Sequence, residues 1–180
     1  MRILWGILLA GAVAGTLDIV YAILAYGPLS YGVPAEQVLQ SVAAGAIGRD
    51  AAQAGGVSTA SLGLGLHFVL ATGMAAAFAF AAKRFRMLRS NPLAWGFLYG
   101  LILYVAMNYI VVPLSAAGAN EHFAANLGEA GARLQASFSE IRPRHDPNHP
   151  WLFVGTIFAH TVLVGMPIAW IAQRFVRQSD

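Results

Sequence analysis

The stretch "SLGLGLHFVLATGMAAAFAFAAKRF", residues 61–85, decides the class of this protein. Apart from one ionisable ring, His67, it runs in apolar and small residues until Lys83 and Arg84 end it. A bilayer core is crossed by a helix of about 20 mainly apolar residues, and the run from 57 to 82 is long enough. In hydrocarbon every backbone N–H and C=O needs an internal partner. The alternation of a barrel strand is missing, so the helix is the expected solution.

Working outward, three more runs meet the same length: residues 3–26, 93–113 and 151–173, none with Lys or Arg in its interior. The sequence therefore predicts an all-α integral membrane protein, a single membrane domain over 1–180 with four transmembrane helices. Composition agrees. Of 180 residues 58% are hydrophobic and 11% charged, against roughly 25% charged in soluble domains. The pI of about 9.6 does not point to nucleic acid, because the eleven Lys and Arg fall in short groups beside apolar runs, where they hold helix ends against headgroups. The absence of Cys excludes disulfides and thiolate ligands. Arg2, the apolar run after it and "AVA" at 12–14 imitate a secretory signal, but the run continues through "IVYAILAY" to 26. A retained first helix is expected.

Charge sets the expected orientation. With the N-terminus in the cytoplasm, Arg2, Lys83, Arg84, Arg86, Arg89, Arg174 and Arg177 lie inside, while Arg49, Arg133, Arg142 and Arg144 lie outside beside six acids. This bias places both termini in the cytoplasm. Trp5, Trp95, Trp151 and Trp170 fall near span ends, as interfacial anchors do.

The two outer connections are long enough to carry amphipathic helical segments. In 27–56, Pro34 suits a first helical turn; Val38 or Leu39, Val42, Ala43, Ala46 and Ile47 make an apolar stripe before Gly55 and Gly56. In 121–141, Phe123, Leu127, Leu134, Phe138 and Ile141 recur on one face. Both segments are expected to lie on the outer membrane surface or to cap the bundle. Gly11 with Gly15, and Gly96 with Gly100, form i,i+4 pairs that let helices approach closely, within the chain or against a second copy.

Three ionisable groups interrupt the spans. Asp18 is eight residues from Tyr26, His67 ten from Val57 and His160 nine from Trp151, so at 1.5 Å per residue they stand about 12, 15 and 13.5 Å below the outer ends. A carboxylate turned to lipid costs about 2.5 to 3.5 kcal/mol, so Asp18 should face the bundle, and Asn108, Tyr21, Tyr104, Thr16 and Thr156 are polar neighbours at similar depth. Asp18, His67, Asn108 and His160 form the candidate polar path or ligand site. A packing network of the same groups is the rival reading. Imidazoles on separate helices also suit haem iron, or a divalent metal shared with a carboxylate, although no C-x-x-C-H signal occurs. His145, Asp146 and His149 in "RPRHDPNHP", with His122, make a candidate outer gate; Pro147 and Pro150 exclude a helical histidine pair there. Pro113 should end the third span, and Pro167 should bend the fourth.

With "GTLD", "GLHFVLA", "YGLILYVAMNYIVVPLS" and "FAH" in a four-span order, the chain resembles YagU-like bacterial inner-membrane proteins. The resemblance implies a bacterial inner-membrane location and supplies no catalytic residue. No H-E-x-x-H, serine elbow, nucleotide loop or paired-acid motif gives an enzyme a basis. Three functions fit the sequence: a small transport or permeation protein with an intramembrane polar site, a haem- or metal-binding membrane protein, and a structural or assembly subunit. The partners expected are the lipid bilayer and either a second copy or another membrane protein.

Overall fold

The computed structural model describes residues 1–118, 122–139 and 147–177, with the backbone alone for Arg177. Among the described residues four helices are long and apolar enough to cross a membrane: Arg2–Tyr26, Gly56–Arg84, Pro92–Leu114 and Trp151–Val176. The protein is a small all-α membrane protein. The limits follow local chemistry. Lys83 and Arg84 close the second helix, and Pro92 opens the third, its missing N–H being one that a first turn leaves unpaired anyway. The Asn91 side chain accepts the Ala94 N–H at 3.1 Å, an N-cap.

Packing divides the chain into two compact units. The first contains Met1–Tyr21, His67–Tyr104 and Val154–Asp180. Its core is built largely from alanine (Ala10, Ala14, Ala75, Ala79, Ala82, Ala169 and Ala172), with Phe78, Leu103, Ile168 and Val176 filling between. Small side chains bring backbones close, and both predicted glycine pairs are used within the chain. A Cβ on Gly11 would stand 2.7 Å from Thr72 Cα, and one on Gly96 2.6 Å from Met166 Cα. Buried Gln173 donates to the Leu88 carbonyl at 2.6 Å, tying the fourth helix to the 3-10 turn Arg86–Arg89. Tyr99 Oη donates to the Met74 carbonyl at 2.8 Å.

The second unit contains Ala22–Leu66 and Val105–Phe153. The helical segment expected to run on to Gly55 and Gly56 is interrupted at Gly48, giving helices Ala35–Ile47 and Arg49–Ala54. Gly48 has φ 83° and ψ 161°, a conformation open essentially to glycine alone. Within the first of these helices Val38, Ala43 and Ala44 are buried, but so is Gln40, whose Nε2 donates to the Gly56 carbonyl at 3.1 Å and to Thr59 Oγ1 at 3.4 Å. The helix expected over 121–141 runs from Leu127 to Ser139. It starts there because Asn126 accepts the Glu129 N–H while Glu129 accepts the Ala125 N–H, each at 2.9 Å, a reciprocal cap. Phe138 stacks on Tyr109 at 6.0 Å, whereas Phe123 and Leu127 are exposed. Ile141 lies outside the described residues.

A candidate intramembrane polar site

Each of three helices brings one ionisable group to the first unit: Asp18 from the first, His67 from the second and His160 from the fourth. The Asp18 carboxylate lies within electrostatic range of both imidazoles, His160 and His67, and all three side chains are half-buried. The groups whose counted depths agreed thus share one neighbourhood. Asn108 belongs to the second unit.

The histidines are oriented by the backbone. His67 Nε2 lies 2.8 Å from the Gly15 carbonyl oxygen on the neighbouring helix, and His160 Nδ1 lies 2.9 Å from the Thr156 carbonyl oxygen one turn back. A carbonyl only accepts, so each of these nitrogens carries hydrogen. In the neutral rings His67 Nδ1 and His160 Nε2 are therefore the acceptors. Gly15 lets the helices approach at this contact, because a Cβ there would stand 2.9 Å from Phe68 Cδ1 and force that ring to shift. Aromatic walls complete the surroundings: Tyr104 meets His160 edge-on at 5.7 Å, Tyr21 lies 6.5 Å from Phe158 and Phe68 lies 5.6 Å from His67.

The fourth helix changes winding at this site. Residues Ala159–Gly165 form a π-helical segment in which the Met166 N–H reaches back to the Thr161 carbonyl. Met107–Val111 of the third helix do the same, with the Val112 N–H bonded to the Met107 carbonyl. Each segment lies just before a proline. The rings of Pro113 and Pro167 exclude the carbonyls four residues back, those of Tyr109 and Leu163, from regular α bonding, and the wider turn absorbs the misfit. Pro113 is followed by Leu114, the last residue of its helix, and Pro167 is accommodated by widening. The π segments carry His160 and Asn108, and such segments recur at functional sites.

Fixing the widened turn requires close backbone packing. A Cβ on Gly100 would overlap the His160 carbonyl oxygen and stand 2.5 Å from Thr161 Cα; one on Gly165 would stand 2.8 Å from Gly100 Cα. Buried Thr161 turns its hydroxyl back to the Ile157 carbonyl at 2.8 Å.

Among the described residues, no three carboxylate, imidazole or thiolate groups are grouped as one metal ion requires. The gate residues that can be placed have different partners. His122 Nδ1 lies 2.7 Å from the Phe123 carbonyl oxygen, and Arg133 donates to the His122 carbonyl at 2.9 Å while pairing with Glu129. His149 packs edge-on against Tyr31 at 4.6 Å. His145 and Asp146 lie outside the described residues. No protein-family model, curated protein or solved structure matches the chain.

Proposed function

We propose that the protein is a small permeation or transport protein that passes protons, alone or with a solute, through the group Asp18, His67 and His160. The observation that carries this reading is a carboxylate within electrostatic range of imidazoles from two other helices, inside a unit whose core is otherwise apolar. Imidazole changes charge near neutral pH, and each ring keeps one nitrogen outside its backbone hydrogen bond. Such a group can take up and release a proton where lipid alone cannot. The π segment gives the fourth helix a place to change winding without breaking.

The rival reading, a packing network, has one observation in its favour: the His67 hydrogen bond to the Gly15 carbonyl ties two helices together. Proteoliposomes containing a trapped pH indicator separate the two. Under an imposed potential, Asp18→Asn should lower proton flux at least tenfold while the protein still extracts and melts like the parent. Equal flux in the parent, in Asp18→Asn and in empty vesicles removes the transport reading and leaves the network. Haem or metal bound through the histidines is tested by the absorption spectrum and elemental analysis of the purified protein. We place both termini in the cytoplasm of a bacterial inner membrane, where YagU-like proteins reside, on the charge bias of the connections. Helix Leu127–Ser139 lies on the opposite surface with Phe123 and Leu127 toward lipid. Reporter fusions at each terminus read that orientation.

A further inference from the structure

The second unit contains a cleft of about 360 Å³ whose lining includes Gln37, Gln40, Ser41, Arg49 and Gln53. We infer that this cleft binds a small carboxylate that also carries hydroxyl or amino donors, held by Arg49. The inference is separate from the flux proposal, since binding is measured without transport.

Arg49 is a fixed cation. Its Nε and Nη2 both donate to the Ala117 carbonyl, at 3.1 and 2.8 Å. That carbonyl is itself held, because the Ala116 N–H bonds to the Gly45 carbonyl at 3.1 Å and the Ala117 N–H to Ser115 Oγ at 3.2 Å. Gly48, with its positive φ, turns the chain so that Arg49 begins the next helix. Among the described residues no carboxylate pairs with Arg49. One carbonyl takes the Nε side of the guanidinium, which leaves the end formed by Nη1 and Nη2 with donors in hand, the geometry that grips a carboxylate with two parallel hydrogen bonds.

The remaining lining sets the rest of the ligand. Both Gln40 amide hydrogens are directed to the Gly56 carbonyl and Thr59 Oγ1, so its oxygen is the group left to bind. Ser41 Oγ donates to the Val38 carbonyl at 2.6 Å and likewise keeps acceptor capacity only. A ligand must bring donors to these oxygens. A dianionic phosphate would want more positive charge than one guanidinium, and the other lining side chains are neutral. The volume is within the range of small-molecule pockets, about 300 to 1,000 Å³.

The test is isothermal titration of the full chain in detergent micelles with gluconate, lactate, gluconamide and inorganic phosphate. Saturable binding of gluconate or lactate is expected, with gluconamide and phosphate at least tenfold weaker. Arg49→Gln should weaken carboxylate binding at least tenfold. Because that change also removes the bonds to Ala117, Ser41→Leu, which narrows the cleft and leaves Arg49 anchored, should do the same in a protein with parental melting. No saturable carboxylate binding, equal binding of gluconamide, tighter binding of phosphate, or unchanged binding in Ser41→Leu would each overturn the assignment.

Discussion

Replacing Gly100 with alanine tests the seam that holds the widened turn. The new Cβ would overlap the His160 carbonyl and stand 2.5 Å from Thr161 Cα, about 1 Å inside the optimum for two carbons. Both obstacles are backbone, so no rotamer change relieves them, and the two helices must separate by about that amount. Overpacking of this kind costs about 1 to 3 kcal/mol; with backbone as the obstacle the upper end applies. Alanine returns about 1 kcal/mol through helix propensity, leaving a net loss of about 2 kcal/mol. Gly73 provides the control, because a Cβ there meets nothing within 4 Å and Gly73→Ala should gain about 1 kcal/mol. The variants should differ by about 3 kcal/mol, a factor on the order of 100 in the unfolding constant. Equilibrium unfolding of micellar protein with increasing sodium dodecyl sulfate, followed by circular dichroism, measures it. If the two variants unfold within about 0.5 kcal/mol of each other, close enough to be independent of the seam, the reasoning fails.

His67→Phe removes the bond to the Gly15 carbonyl and should cost about 0.6 to 1.7 kcal/mol, the range for polar contacts between membrane helices; the same denaturation measures it, and an unchanged midpoint would show that the contact contributes nothing. Pro167→Ala restores an amide and lets 159–165 return to α winding, so stability should hold or rise by about 1 kcal/mol while proton flux falls, as His160 turns by up to about 100° around its helix. Amide exchange across 159–166 reports the change of winding. Gly48→Ala places a side chain at φ 83° and should cost about 1 to 3 kcal/mol; thermal melting checks the loss, and carboxylate titration shows whether Arg49 has moved with the turn.

The long helices were legible because hydrophobicity over about 20 residues is a property of the run itself. No predicted span end differs from its observed end by more than three residues. The neighbourhood of Asp18, His67 and His160 was legible for a similar reason, since rise per residue turns sequence distance into depth. Asn108, counted to a similar depth, belongs to the second unit. Gln40 and Gln173 were missed: a buried amide is satisfied by carbonyls far along the chain, and no local pattern announces them. Arg49 was read only as a charge at one surface, because its anchor, Ala117, is 68 residues away. The π segments had a visible cause in Pro113 and Pro167, yet a proline signals a defect in α bonding without saying whether the helix bends, stops or widens. Gly48 carries no signal in the apolar stripe, which ends one residue earlier at Ile47; the requirement for glycine lies in the backbone angle.

The seam between the third and fourth helices has a mechanical consequence. Where Gly96 and Gly100 face Gly165 and Thr161, main chain lies directly on main chain, and little side-chain matter stands between to compress, rotate or exchange. Such a contact has almost no intermediate settings: it holds its register or slides as a whole. Any gradual adjustment of the first unit must then be taken up elsewhere, away from this stiff plate.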